Sequence, residues 1–125
     1  MSMNQTVLVV DDSPTVLKFV TYSLKDSGLK VVTASDGMDA VEKVSLLPGA
    51  VDLVITDLNM PNMDGYEFIT TLRENEQYSA TPIIILSSEE DEEDVARGHA
   101  AGADAYIMKP FKSSSLLKEV QRLLS

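Results

Sequence analysis

At 125 residues the chain is long enough for one domain that buries roughly two thirds of its unfolded surface. Its 20 acids against 10 bases give a net charge of −10, which argues against nucleic acid, whose phosphates would repel it, and favours cations and basic protein surfaces as partners. No apolar run nears the roughly 18 residues that span a membrane, the start (Met1-Ser-Met-Asn-Gln-Thr6) lacks the basic segment and apolar core of a signal peptide, and the absence of cysteine excludes disulfides and thiolate metal sites; a cytoplasmic protein is expected.

Taken in order, Thr6-Val-Leu-Val-Val10 is a first strand buried on both faces, ending in Asp11-Asp12. Ser13 suits the N-cap and Pro14 the first position of a helix in which Val16, Leu17, Val20 and Leu24 recur at helical spacing, stopped at Gly28. Lys30 to Ser35 reads as strand two. Asp36 can cap helix two, with Met38, Val41, Val44 and Leu47 inward and Pro48-Gly49 closing it. Val51 to Ile55, broken only by Asp52, is strand three. It stops at Asp57, before the loop formers Asn59, Pro61, Asn62, Asp64 and Gly65. Helix three runs from about Asp64 to Glu74 with Phe68, Ile69 and Leu72 on its apolar face. Pro82 to Leu86 is strand four, ending at Ser87-Ser88. Helix four starts in the acids Glu89 to Asp94 and ends near Gly102. Ala105 to Met108 is strand five, ending at Lys109-Pro110, and helix five starts near Ser113 to Ser115 with Leu116, Leu117, Val120, Leu123 and Leu124.

Five β-α repeats with short connections predict a three-layer α/β sandwich, a parallel sheet with helices on both faces. Right-handed crossovers leave few topologies, and the flavodoxin-like order 2-1-3-4-5 is the natural one. Ligands bind such sheets outside the carboxyl ends of the strands. Strand one brings Asp11 and Asp12 to that edge, strand three Asp57, strand four Ser87 and strand five Lys109. Clustered carboxylates repel one another unless a cation or proton intervenes. Mg²⁺ prefers oxygen ligands, one or two of them carboxylates, and Asp12 and Asp57 fit direct ligation while Asp11 fits ligation through water. A carboxylate can also be a nucleophile that forms an aspartyl phosphate, given neutralisation of the incoming charge. Lys109 and the Ser87 hydroxyl are placed to contact phosphoryl oxygens. By residue chemistry alone Ser87 is equally served by helix capping, Tyr106 by strand packing and the acidic run Glu89 to Asp94 by the dipole of helix four.

Asp11-Asp12, Asp57 followed by Met60-Pro61 and Met63-Asp64-Gly65, Ser87 after an Ile-rich strand, and Lys109-Pro110 closely resemble the receiver domain of two-component response regulators, of the single-domain CheY type. The resemblance covers essentially the whole chain, so residues 1–125 read as one receiver domain with no output domain. It implies that Asp57 is phosphorylated from a histidine of a sensor kinase or a histidine phosphotransfer protein. Asp11, Asp12, Asp57 and the backbone carbonyl of Asn59 would hold Mg²⁺, with Mn²⁺ as a substitute. Ser87 and Tyr106 would form the switch, acting on the face of helix four, strand five and helix five. Lys109 would pair with the phosphate through a chain with a cis Lys109-Pro110 bond, and Asn59 and Glu89 would tune acyl-phosphate hydrolysis. Ser87 departs mildly from the commoner Thr, and Ser88 from a small apolar residue. The implied protein is a signalling module of chemotaxis or a phosphorelay. It catalyses only its own phosphorylation and dephosphorylation, binds a downstream protein and a phosphatase, and is a monomer or weak dimer without nucleic-acid or membrane partners.

Two other readings compete. A Mg²⁺-dependent phosphatase of the haloacid dehalogenase type also uses an Asp nucleophile, and Asp57-Leu-Asn59 resembles its motif faintly. In that family, however, the nucleophile usually ends the first strand, and this chain has no room for a cap domain. A flavin binder fits poorly, since the acids of Asp11-Asp-Ser-Pro-Thr15 would repel a flavin phosphate. His99, the sole histidine, reads as a surface or partly packed residue of helix four.

Overall fold

The computed structural model describes residues 5–47, 49–88 and 92–125. Its elements alternate throughout: β1 (Thr6–Val10), α1 (Pro14–Asp26), β2 (Lys30–Ala34), α2 (Gly37–Leu46), β3 (Leu53–Thr56), α3 (Gly65–Glu74), a 3-10 turn (Glu76–Tyr78), β4 (Ile83–Ser87), α4 (Glu92–Ala101), β5 (Ala105–Met108) and α5 (Ser113–Leu124). The strands form one parallel sheet of order β2-β1-β3-β4-β5, the flavodoxin-like arrangement expected.

Period-two alternation divides the sheet between two cores. Val7, Val9, Leu53, Ile55, Ile84 and Leu86 pack with Val20 and Leu24 of α1 and Leu116 and Val120 of α5. Leu8, Val10, Val54, Ile83 and Ile85 pack on the other face with Ala40 of α2 and Phe68, Ile69 and Leu72 of α3. Strands covered on both sides have no solvent face, which is why they read as continuous apolar runs. Asp52, the one charge in the run before β3, is exposed, and its carboxylate accepts the Thr6 amide at 2.8 Å, tying the start of β1 to the neighbouring segment.

Helix starts follow local chemistry. Ser13 caps α1 with Pro14 at its first position, Asp36 caps α2 and Asp64 caps α3, each through a side-chain oxygen that accepts an amide of the first turn. Met38, expected to point inward, is instead 53% exposed. It belongs to the first turn of α2, in which Gly37 and Ala40 take the buried positions. Ser87 falls inside β4, paired with Met108, rather than just after it. The 3-10 turn had no periodic signal, yet it buries Tyr78 in the second core. Among the described residues no helix is long and apolar enough to cross a membrane.

Candidate functional site

Parallel register carries the site residues to one edge. The ladder runs one step past the strand ends: the Asp11 amide donates to Ala34 O at 3.1 Å, the Asp57 amide to Val10 O at 2.9 Å and the Lys109 amide to Ser87 O at 2.8 Å. Each residue that follows a strand is thereby fixed by its neighbour, and Asp11, Asp57, Ser87 and Lys109 come to adjacent positions. The Lys109-Pro110 bond is cis, as the resemblance implied.

Asp11 and Asp57 are buried, at 1% and 7% exposure, while Asp12 is exposed. One oxygen from each of Asp11, Asp12 and Asp57 lies within 4.8 Å of the others. Lys109 reaches in between, its ammonium 2.9 Å from Asp11 Oδ2 and 3.4 Å from Asp57 Oδ2. The remaining Asp11 oxygen accepts the Ser13 amide at 2.9 Å, and Asp57 Oδ1 accepts the Leu58 amide at 2.7 Å. Burial, then repulsion from Asp11, raise the Asp57 pKa above its ordinary value, against the opposing pull of Lys109 and the Leu58 amide. Burial alone would lower the pKa of Lys109, but its bonds to Asp11 and Asp57 outweigh this and raise it. The ammonium is therefore held chiefly by Asp11, and Asp57 keeps a charge that its surroundings do not fully compensate.

A divalent cation fits this set. The donors are all hard carboxylate oxygens at mutual distances that one ion can bridge, and two of them are buried with an excess of negative charge. Such a cluster gains from a cation more than an exposed one would, because burial weakens the screening of its repulsion.

Backbone packing presents Asp57. The Gly65 amide donates to Leu58 O at 2.9 Å, and a Cβ added at Gly65 would stand 2.2 Å from Asp57 O, so only glycine lets α3 start this close to the acid. Ser87 is fully buried at the end of β4 and lies inside the ladder, paired with Met108. Tyr106, half-buried on β5, packs against the core beneath α4, where a Cβ on Gly98 would be 3.5 Å from its ring. Asn59 is exposed in the β3–α3 loop. Glu89, expected to tune hydrolysis, lies outside the described residues. His99 is exposed, with Nδ1 3.1 Å from Ala103 O.

One feature of the site gave no signal in the sequence. Beside Lys109 lies an apolar hollow of about 450 Å³, bordered by Thr15, Val16, Phe19, Pro110 and Phe111. Phe19 and Phe111 meet edge to face at 5.6 Å. Their juxtaposition joins α1 to the β5–α5 loop, which only the tertiary fold brings together.

A family model described as the response regulator receiver domain matches residues 7–121. The chain belongs to this family. Protein PilG of Pseudomonas aeruginosa is 36% identical over 92% of this chain and 84% of its own length. The DNA-binding response regulator MtrA of Mycolicibacterium smegmatis is 37% identical over 98% of this chain but only 52% of its own length, so the receiver spans about half of that relative. The crystallised chemotaxis protein CheY4 of Vibrio cholerae is 40% identical, superposes with a TM-score of 0.90, and is matched over 97% of this chain and 99% of its own. The receiver is thus a CheY-like signalling domain.

Proposed function

We propose that this receiver takes a phosphoryl group from a phosphohistidine of a sensor kinase or histidine phosphotransfer protein onto Asp57, with Mg²⁺, and signals through the change that follows. The observation that carries this reading is the placement of Lys109 between two buried carboxylates, 2.9 Å from Asp11 and 3.4 Å from Asp57, with the Asp12 carboxylate in the same cluster. Asp11, Asp12, Asp57 and the Asn59 carbonyl would hold Mg²⁺, which when bound supplies positive charge against the repulsion between the carboxylates and the incoming phosphoryl group.

The Asp57 carboxylate attacks phosphorus in line. A carboxylate-oxygen-to-phosphorus bond forms as the nitrogen-to-phosphorus bond of the donor breaks, and the imidazole nitrogen keeps the bonding pair. Lys109 is positioned to exchange its contact with Asp57 for one with a phosphoryl oxygen while staying anchored on Asp11 at 2.9 Å. The buried Ser87 hydroxyl takes a second oxygen. Movement of Ser87 frees space at the end of β4 into which Tyr106 turns, biasing the face of α4, β5 and α5. Asn59 and Glu89 govern access of water for hydrolysis. The domain turns over only its own acyl phosphate, and the likeness to a chemotaxis protein over nearly both full lengths supports chemotaxis-type signalling, with a downstream protein as target. The hollow at Phe19 and Phe111 supports approach of the phosphodonor from the α1 side.

Incubation with acetyl phosphate and Mg²⁺, followed by intact mass, tests the reading. The expected result is one added phosphoryl group that requires Mg²⁺ and is absent from Asp57→Ala. An adduct that persists in Asp57→Ala would overturn it, and continuous phosphate release from unrelated esters would favour the phosphatase.

A further inference from the structure

The β3–α3 loop, which carries Asn59, is clamped to the start of α2. Asn62 donates its side-chain amide to Asp36 Oδ2 at 2.8 Å, and Asp36 Oδ1 accepts the Asp39 amide at 2.8 Å. One carboxylate therefore caps α2 and holds a loop 26 positions away. Asp36 is buried, at 9% exposure. The Asp39 amide first, then the Asn62 amide, keep its carboxyl below the ordinary range despite burial. Asn62 has φ 69°, a left-handed conformation in which, among the described residues, no other non-glycine residue stands; Asn tolerates it better than most side chains. The next residue is pressed on the same helix start. A Cβ on Gly37 would lie 2.7 Å from Met63 O and 2.8 Å from Met63 Cγ, and the Met63 amide closes a tight turn on Pro61 O at 2.8 Å.

We infer that the Asp36–Asn62 hydrogen bond is a positioning device for the cation: it holds the backbone of residues 59–62 so that the Asn59 carbonyl faces the acidic cluster. This rests on the proposed reading in which Asp11, Asp12, Asp57 and the Asn59 carbonyl hold Mg²⁺. Mg²⁺ demands near-ideal octahedral geometry, so a carbonyl ligand on a loop contributes fully only when the loop is fixed beforehand. Asp11 and Asp57 are fixed by the sheet, whereas Asn59 sits in an exposed loop whose ties to the rest of the chain include the Asn62–Asp36 bond, the Met63–Gly37 approach, the packing of Met60 and Met63 against the core and the Gly65–Leu58 bond. The Asn62–Asp36 bond joins the loop to another element, the start of α2, through a side-chain hydrogen bond three positions from Asn59. Asp36 and Asn62 act on the cation through the loop and are not themselves ligands.

Two single variants and their combination separate this role from stability. In Asp36→Ser the hydroxyl can still cap α2 but is too short to reach Asn62. Asn62→Gly accepts the left-handed φ without strain and loses the amide. Mg²⁺ binding to the full chain is followed by isothermal titration calorimetry, with amide hydrogen exchange over residues 58–65 and thermal melting in EDTA. Each single variant is expected to weaken Mg²⁺ about tenfold, the scale of losses when the groups that orient metal ligands are removed. The double variant should be no weaker than the singles, because one bond is lost in all three. Exchange at residues 59–63 should quicken while the melting temperature in EDTA stays close to wild type. Unchanged Mg²⁺ affinity in either single variant, or losses that add in the double, would overturn the inference. If wild-type titration shows no Mg²⁺ heat that Asp57→Asn removes, the metal reading itself fails, and that is seen before any loop variant is compared.

Discussion

Replacing Asp57 with Asn should stabilise the metal-free protein at neutral pH, although it breaks an ion pair. Lys109 lies 3.4 Å from Asp57 but 2.9 Å from Asp11, and the carboxylates of Asp11, Asp12 and Asp57 crowd within 4.8 Å. At an effective dielectric constant of about 20, opposite charges at the Lys109–Asp57 distance attract by about 5 kcal/mol, and like charges at the outer limit of the cluster repel by about 3.5 kcal/mol. Repulsion from Asp11, with a screened addition from exposed Asp12, thus nearly cancels the attraction, and the cost of burying the Asp57 charge is left over. The raised Asp57 pKa, caused first by burial and then by Asp11, has the same sign. Asn keeps an acceptor for the Leu58 amide, now at 2.7 Å, and removes the charge. The expected gain is about 1–2 kcal/mol, the low end of what removing poorly compensated buried charge achieves, or a rise of roughly 4–8 °C in melting temperature for a domain of this size.

The pH dependence follows from linkage. A carboxyl whose folded pKa exceeds its unfolded value binds more protons in the folded state, so wild-type stability falls as pH rises through that window. The advantage of Asp57→Asn is therefore complete above the folded pKa and shrinks as pH drops through it, where the wild-type carboxyl is neutral too. Urea unfolding followed by circular dichroism, in EDTA, measures the difference at several pH values. Millimolar Mg²⁺ should narrow or reverse it, since a ligand that binds only the folded state stabilises the chain that binds it more tightly. A variant no more stable than wild type in EDTA at neutral pH, or an advantage unchanged at low pH, would refute the electrostatic account.

Three further substitutions probe the supports of the site and of the sheet that carries it. Lys109→Met should cost about 2–3 kcal/mol in EDTA, because it leaves Asp11, at 1% exposure, without a counter-charge; Mg²⁺ should restore part of the loss in the urea midpoint. Arg73→Ala should cost a similar amount, about 2–3 kcal/mol, since its guanidinium donates to the carbonyls of Tyr78, Thr81 and Gly102 and pairs with Asp104, tying the end of α3 to the segments that precede β4 and β5. Faster amide exchange around Gly102 would accompany it, and wild-type exchange there would count against the assignment. Gly65→Ala forces a methyl against Asp57 O and should cost at least about 2 kcal/mol. It should also weaken Mg²⁺ in calorimetry, because relief of the clash moves the acid; full Mg²⁺ affinity in a destabilised variant would show that the Asp57 backbone yields elsewhere.

Much of this architecture was legible because each strand is covered on both faces, so that Val7 to Val10 and Ile83 to Leu86 carry no polar interruption, and because Ser13, Asp36 and Asp64 mark helix starts by a chemistry that needs no tertiary context. The misreadings fall where tertiary context decides. Met38 shares helical spacing with Val41, but Gly37 and Ala40 take the buried positions of its turn. The apolar run of strand four stops at Leu86, and its partner β5 extends the ladder one residue further, to Ser87, through Met108. Tyr78 lies in a turn too short to show a period.

For the candidate site, the sequence names the residues, while register decides that they meet. Val10 pairs with Thr56, and the bond from the Asp57 amide to Val10 O extends that pairing by one residue. A slip of one residue in β3 would send Asp57 to the opposite face and bury a charge with no partner. The apolar alternation of Leu53, Val54 and Ile55 between two cores forbids that slip, so the packing of residues remote from the edge secures the position of the acid. What no strand pattern could reveal is how Lys109 divides itself. Its choice of Asp11 over Asp57 depends on side-chain reach and on burial within a few ångströms, and that choice leaves Asp57 the carboxylate with a charge still to be satisfied.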